Sequence, residues 1–168
     1  MKKRANYSSY VAQCLSGQPS LPTRVAADLG CGHGRHLPLL ARQGLSVFAL
    51  DIDDAALRAA RRHCRAALPV RCDLRQGMPF KAGRLGLALA VHVPLIALVP
   101  ILAEALAIGG VAILESVGGY GENWRELPRR GALRRKLAKH FAILNLEERP
   151  VGPPAMRTVA VRAFIRRN

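Results

Sequence analysis

The fold is decided by the stretch Val25-Ala-Ala-Asp-Leu-Gly-Cys-Gly-His-Gly-Arg-His36. It begins as an apolar run that ends at Asp28, and glycines then occupy the alternate positions 30, 32 and 34. A helical pattern follows at once, so the stretch predicts a buried strand, a glycine-rich turn and the start of a helix. Because glycine has no Cβ, such a turn lets the backbone approach a bound ligand closely.

A second carboxylate supports a site of the nucleotide-binding type. Asp51 follows the next apolar run, Val47-Phe-Ala-Leu50, and lies about 20 residues after Gly30. In dinucleotide-binding folds an acidic residue at this distance holds a ribose. The third glycine, however, arrives one position earlier than in the pattern Gly-x-Gly-x-x-Gly, which disfavours a nicotinamide-dependent dehydrogenase.

Length and composition indicate one domain over residues 1–168, with residues 1–22 as a short N-terminal cap. We expect no membrane span, because polar residues and prolines interrupt the longest apolar stretch, Leu85 to Leu106. The first residues lack a secretory signal pattern. The cysteines form no Cys-x-x-Cys pair, which predicts reduced thiols, a cytoplasmic protein and no metal site. They are Cys14, Cys31, Cys64 and Cys72.

The net charge of +15 has two interpretations that the sequence leaves open. One is a compositional preference for arginine and alanine. The other is a partner that carries many phosphates, because 26 basic residues stand against 11 acidic ones. The basic segment Arg129–Lys139 fits either a solvated helix face or a nucleic-acid surface.

Strand-like and helix-like runs alternate along the chain, which predicts an α/β fold. We expect a Rossmann-like three-layer sandwich whose seven-stranded sheet is mostly parallel and ends in an antiparallel C-terminal hairpin. The predicted strands are Arg24–Asp28, Ser46–Leu50, Pro69–Cys72, Leu85–Val91, Val111–Glu115, Phe141–Arg149 and Met156–Arg166. The predicted helices are Tyr7–Leu15, Arg35–Gln43, a helix that Asp53 or Asp54 caps and that runs through Ala67, Leu95–Ala107 (ended by Gly109 and Gly110) and Gly131–His140.

Four segments, in order, resemble motifs of the class I S-adenosylmethionine-dependent methyltransferases. They are Asp28-Leu-Gly-Cys-Gly-His-Gly34, Ala49-Leu-Asp-Ile-Asp53, Arg71-Cys-Asp-Leu-Arg75 with Met78-Pro-Phe80, and Ala107-Ile-Gly-Gly-Val-Ala-Ile-Leu114. Three further segments resemble the small bacterial tellurite-resistance or thiopurine-type members. These are Gly34-Arg-His36, Glu122-Asn-Trp-Arg-Glu-Leu-Pro128 and Glu147-Glu-Arg-Pro-Val-Gly-Pro153.

The resemblance implies S-adenosylmethionine as cofactor and assigns its contacts. Asp28 is expected at the ammonium, Asp51 at the ribose hydroxyls, and Asp73 at the adenine amino group beside Leu74. The alternative roles are a turn cap for Asp28, a helix N-cap for Asp51 and a simple turn residue for Asp73. For Cys31 the alternative is a small buried side chain without a binding role. The full predicted cofactor set is Asp28, Gly30, Cys31, Gly32, Gly34, His36, Asp51, Ile52, Asp73 and Leu74.

The methyl acceptor is less well defined, and no catalytic residue is assigned. Candidates for the acceptor site are His92, Tyr120, Glu122 and Trp124, each of which has a packing alternative. The segment Val91-His-Val-Pro94 lacks the Asp/Asn-Pro-Pro-Tyr motif of amide and amino nitrogen methylation. We therefore expect methyl transfer to a small metabolite, with a soft nucleophile as one candidate. The alternatives are an RNA- or polyanion-directed methyltransferase and a non-catalytic cofactor-binding module, as a monomer or homodimer.

Overall fold

Helices pack on both faces of one twisted sheet, as the alternation of patterns predicts. The computed structural model describes residues 7–116 and 123–168. The helices are α1 (Ser9–Ser16), α2 (Leu37–Arg42), α3 (Asp54–His63), α4 (Leu95–Ala105) and α5 (Ala132–Leu137). The strands are β1 (Val25–Leu29), β2 (Ser46–Asp51), β3 (Leu68–Arg71), β4 (Leu85–Val91), β5 (Leu106–Ser116), β6 (Phe141–Pro150) and β7 (Val159–Arg167).

In the described part of the chain, seven strands form one sheet in the order β3-β2-β1-β4-β5-β7-β6. The pairs from β3 to β5 are parallel, and β7 pairs antiparallel with both β5 and β6. This is the predicted mostly parallel sheet with an antiparallel C-terminal hairpin. The chain reverses its strand order between β1 and β4, and ligands of open α/β sheets bind at the carboxyl ends of strands at such a point.

Two apolar cores fill the spaces between the sheet and its helices. Side chains of α1, α2 and α3 cover one face, and side chains of α4 and α5 cover the other. Strand β4 is buried along its whole length, as expected for a central strand with helices on both sides. None of the helices within residues 7–116 and 123–168 has the length and apolarity needed to cross a membrane.

Several predicted boundaries differ from the observed ones because tertiary pairing sets them. Helix α4 ends at Ala105, and the chain enters β5 directly at Leu106, which pairs with Leu85 before an irregular step in register. The predicted helix end at Ala107, stopped by Gly109 and Gly110, is therefore wrong; Gly109 has φ 80° within the strand. Helix α3 ends at His63 rather than Ala67.

Smaller differences occur at other ends of predicted elements. Residues Pro154–Met156 form a short 3-10 turn, so β7 begins later than predicted, at Val159. Helix α2 is shorter than predicted, which places His36 at its N-cap instead of within the helix. Strand β4 spans Leu85–Val91, in agreement with the prediction.

Candidate active site

The glycines of the turn after β1 all have positive φ, yet they have different surroundings. The φ angle is 68° at Gly30, 51° at Gly32 and 78° at Gly34, values that residues with a Cβ rarely adopt. A Cβ on Gly34 would lie 2.5 Å from Leu37 Cδ1 and 3.0 Å from Ala60. A Cβ on Gly32 would meet nothing within 4 Å. Gly34 therefore allows close packing against α2 and α3, while Gly32 borders open space.

Asp51, the last residue of β2, holds the glycine turn in place. Its Oδ2 accepts a hydrogen bond from the Gly32 N–H at 2.8 Å, and its Oδ1 accepts one from the Asp53 N–H at 3.0 Å. The N-cap of α3 is Asp53, whose side chain accepts from the Ala55 N–H at 2.7 Å. Asp51 is thus not the helix cap, and each of its oxygens has a further lone pair for a ligand.

A cavity of about 420 Å³ opens beside this turn at the carboxyl ends of β1 and β4. It combines the buried Asp28 carboxylate with imidazole rings, a half-buried guanidinium group and backbone of the turn. The residues that line it are Asp28, Gly30, Cys31, Gly32, His33, Arg35, His36, Val91 and His92. The turn and the end of β4, which are distant in sequence, therefore share one binding space.

Asp28 is the most unusual group in the cavity wall. Its side chain is 1% exposed, and its Oδ2 has no hydrogen-bond partner among the described residues. Burial raises the pKa of Asp28 to about 7; the Asp51 carboxylate adds to the rise, and the Arg35 guanidinium opposes it. A buried carboxylate oxygen without a partner is costly, so this atom is suited to a cationic donor from a ligand.

Comparison with known proteins finds a matching domain family and a curated relative. Residues 26–108 match the family described as methyltransferase domain. A segment of 54 residues is 46% identical to the ubiquinone biosynthesis O-methyltransferase of Alkalilimnicola ehrlichii, and it covers 32% of this chain and 21% of that protein. The chain thus matches about a fifth of the length of this curated relative.

Solved structures share the fold over nearly the whole chain. A geranyl diphosphate methyltransferase in complex with S-adenosylmethionine gives a TM-score of 0.74 at 15% identity, covering 94% of this chain and 84% of that chain. A putative S-adenosylmethionine-dependent methyltransferase from Listeria monocytogenes gives 0.72 at 13% identity, covering 96% and 100%. The chain therefore carries a methyltransferase-domain match over residues 26–108 and shares its fold with these S-adenosylmethionine-dependent methyltransferases. Its closer likeness to the tellurite-resistance or thiopurine-type members stays a prediction.

S-adenosylmethionine is bound in one of these structures, and the cavity of this chain has groups that match the amino acid end of that cofactor. That end carries an ammonium and a carboxylate, and the cavity wall contains the unpaired Asp28 Oδ2 and the Arg35 side chain. The open space at Gly32 also leaves room for a ligand close to the backbone. Arg35 was not among the predicted site residues, although it lies between Gly34 and His36 of a quoted motif.

The residues predicted for the adenine end lie beside the end of β3. Asp73 caps a 3-10 turn, Leu74–Gln76, by accepting from the Arg75 N–H at 3.0 Å. The Arg75 guanidinium also pairs with it, with Nη2 2.8 Å from Oδ2, and these bonds lower the pKa of Asp73 to about 2. The turn role is therefore observed, and the adenine role of Asp73 and Leu74 stays a prediction. Ile52, which follows Asp51, is exposed.

Cys31 is a structural residue of the turn rather than a reactive thiol. Its side chain is buried, its N–H donates to the Leu50 carbonyl at 2.9 Å, and its Sγ donates to the Gly32 carbonyl at 3.5 Å. Burial, with the nearby Asp28 and Asp51 carboxylates, raises the pKa of the thiol to about 12. At neutral pH it is therefore protonated and weakly nucleophilic.

His36 lines the cavity and also ties the first helix to the turn. It is buried at the N-cap of α2, and its Nε2 accepts a hydrogen bond from the Ser8 N–H at 3.2 Å. Ser8 is the N-cap of α1 and accepts from the Val11 N–H. Burial lowers the pKa of His36 to about 4, and the Arg35 charge adds to this effect. A neutral His36 is needed for the bond to Ser8, since a protonated ring has no acceptor.

His92 stands at the end of β4 in a left-handed backbone conformation with φ 62°. Its N–H donates to the Glu115 carbonyl at 2.9 Å, which fixes this conformation at the strand end. Partial desolvation and the Arg35 charge lower its pKa, while Glu115 opposes the shift. Non-glycine residues held in this region cluster at functional sites, and the side chain is neutral at pH 7.

A second cavity of about 250 Å³ shares His92 with the first. The residues that line it are His92, Val93, Pro94, Leu95, Ser116, Glu126, Leu127 and Pro128. Ser116 and Glu126 were not predicted as site residues, because only the fold brings them to the end of β4. Among the other predicted acceptor residues, Tyr120 and Glu122 lie outside the described residues. Trp124 belongs to the 3-10 turn Asn123–Glu126, whose last residue borders the cavity.

Within residues 7–116 and 123–168, no three or more His, Cys, Asp or Glu side chains lie together in a way that could hold a metal ion.

Proposed function

We propose that the protein transfers a methyl group from S-adenosylmethionine to a small acceptor held in the second cavity. The observation that carries this proposal is the position of His92, which lines both the cofactor-sized cavity and the adjoining smaller one. A donor and an acceptor bound in these two cavities would both contact His92 and so be neighbours, and alignment of the two reactants is the main requirement for this transfer.

The chain's own residues account for binding of the donor. Asp28 pairs with the ammonium through its free Oδ2, and Arg35 pairs with the carboxylate across the same cavity. Asp51 offers its remaining lone pairs to the ribose hydroxyls while it keeps the turn in place through Gly32. When bound, the cofactor supplies a methyl group on a cationic sulfonium, so the protein has only to position it and exclude water.

The second cavity favours a small acceptor with a hydroxyl or thiol group. Its volume of about 250 Å³ lies below the roughly 300–1,000 Å³ of ordinary ligand pockets. His92 is neutral at pH 7, so its ring can accept the proton that such a nucleophile loses. A thiol ionises partly by itself and needs less of this help than a hydroxyl. In the wall of the second cavity, the Glu126 carboxylate and the Ser116 hydroxyl offer further polar contacts.

The test begins with isothermal titration of S-adenosylmethionine and a screen for formation of S-adenosylhomocysteine with 2-mercaptoethanol, selenite and catechol. We expect binding and turnover of at least one acceptor. Without detectable cofactor binding the proposal fails. Binding without turnover of any acceptor would support the non-catalytic cofactor-binding module instead.

His92→Gln then tests the role of the shared wall. We expect kcat/KM for the acceptor to fall at least tenfold, with the dissociation constant of S-adenosylhomocysteine unchanged within twofold. His63→Gln is the matched control, because His63 is exposed at the end of α3 and borders neither cavity. An equal activity in both variants would remove His92 from the acceptor site.

A further inference from the structure

A further concave surface, separate from the two cavities at His92 and rich in arginine, lies at the β3 edge of the sheet. It is a cavity of about 410 Å³ between α3 and β3, and three of its lining side chains are successive outward-facing arginines of one helix. The lining residues are Asp54, Leu57, Arg58, Arg61, Arg62, Pro69 and Arg71. We call this surface the α3 arginine groove.

Local structure explains only part of this arginine cluster. Arg61 donates through Nη1 to the Arg65 and Ala67 carbonyls and so fixes the segment that follows α3 against the helix. Arg62 lies in the last turn of α3, where a positive charge favours the helix dipole. Arg58 lies in the middle of the helix, however, and neither the dipole nor any hydrogen bond or ion pair with the described residues accounts for it.

The acidic groups near the groove do not neutralise it. Arg71 pairs with Asp54 at 3.4 Å across a pair of exposed side chains, which is a weak interaction in water. Asp54 is the one carboxylate among the groove's described lining residues, against four guanidinium groups. The groove therefore keeps an excess positive charge on a concave surface, where a phosphate chain can contact several arginines at once.

The groove also lies close to the candidate active site. Arg71 ends β3 and is paired in register with Asp51, the carboxylate that holds the glycine turn. One end of the groove thus opens at the carboxyl edge of the sheet, where the cofactor-sized cavity lies. A long anion lying in the groove would reach this edge without leaving the protein surface.

We propose that the α3 arginine groove binds the phosphodiester backbone of a single-stranded nucleic acid. Arginine is the side chain best suited to phosphate, because its planar fork can donate two hydrogen bonds to one group. The lining residues include no aromatic side chain on which bases could stack, so binding is to the backbone and independent of sequence. A membrane surface fits less well, because the apolar residues of α3 are buried against the sheet.

The experiment measures fluorescence anisotropy of labelled 20-nucleotide poly-U and poly-A RNA with the full chain. We expect similar affinities for both. Contacts with three or four phosphates predict a roughly 20- to 50-fold loss of affinity between 50 and 200 mM salt. The double variant Arg58→Gln/Arg62→Gln should bind at least tenfold more weakly at 50 mM salt, with a shallower salt dependence. A single-stranded DNA of the same length distinguishes a backbone site from one that needs the 2′-hydroxyl.

The matched control is Arg134→Gln/Arg135→Gln, which removes the same charge from exposed positions of α5 on the other face of the sheet. We expect it to bind RNA within twofold of the unaltered chain. Arg58→Lys/Arg62→Lys should retain most of the affinity, and unchanged binding of S-adenosylhomocysteine shows that each variant is folded. No RNA binding at 50 mM salt, equal losses in both glutamine variants, or binding only to vesicles of anionic phospholipid would overturn the proposal.

Discussion

Replacing Asp28 with asparagine tests whether this buried carboxylate receives the ammonium of the cofactor. Burial raises the pKa of Asp28 from 3.8 to about 7, and the roughly three units correspond to about 4 kcal/mol. Because the folded chain keeps a proton that the unfolded chain releases, the free energy of unfolding falls as the pH rises from about 4 to about 7. Between pH 5 and 7.5 the free energy of unfolding should therefore fall by about 2 to 3 kcal/mol because of Asp28, and the asparagine variant should not show this fall.

The same pKa makes cofactor binding depend on pH. An ammonium favours the ionised form of Asp28, so binding below pH 7 must release the carboxyl proton. The affinity for S-adenosylhomocysteine should therefore be roughly 25-fold lower at pH 5.5 than at pH 7.5. In Asp28→Asn the ammonium loses a charge-assisted hydrogen bond, so we expect binding about 10- to 100-fold weaker at pH 7.5 and nearly independent of pH below it.

Isothermal titration at pH 5.5, 6.5 and 7.5, in two buffers with different ionisation enthalpies, measures both the affinity and the number of protons released. Urea titration without cofactor gives the stability of each protein at the same pH values. Glu104→Gln, which removes a carboxylate from an exposed position of α4, controls for net charge. A dissociation constant that is the same at pH 5.5 and 7.5 without proton release would refute the reasoning. So would an asparagine variant that binds like the unaltered chain.

Three further changes test the glycine turn and its neighbours. Gly34→Ala should destabilise the protein by about 2–4 kcal/mol, because the added Cβ overlaps its neighbours at a position with positive φ. Gly32→Ala should lower the stability by only about 1 kcal/mol but weaken S-adenosylhomocysteine binding. Equal losses of stability for the two variants in urea titrations would contradict this. Asp51→Ala should lower the stability of the cofactor-free chain by about 1–3 kcal/mol through the loss of two accepted hydrogen bonds, and an unchanged urea midpoint would show that they contribute nothing. Because its pKa is raised to about 12, Cys31 should react with iodoacetamide at pH 8 at least 100-fold more slowly than in the denatured chain; comparable labelling of both states by mass spectrometry would argue against a buried thiol.

The parts of the fold that the sequence predicted well are those determined by neighbouring residues. Strand β4 could be predicted to the residue because Leu85–Val91 is continuously apolar, and the glycine turn could be predicted because its three glycines allow positive φ. The end of α4 could not be predicted, because the Leu85–Leu106 pairing draws the chain into β5 before its glycines. The bond from Ser8 to His36 also has no local signal, since it joins residues 28 positions apart.

The same distinction divides the candidate site into two halves. The cofactor half is encoded by one turn and two strand ends, all within the matched residues 26–108. The acceptor half depends only partly on later residues. His92 is held by the carbonyl of Glu115, whose buried side chain pairs with Arg162 of β7 at 2.9 Å. The remaining wall comes from residues 93–95, from Ser116 and from residues 126–128. If the second cavity holds the acceptor, half of its lining lies after residue 108, outside the family match. Substitutions at Ser116 or at residues 126–128 should then change the acceptor while leaving cofactor affinity intact.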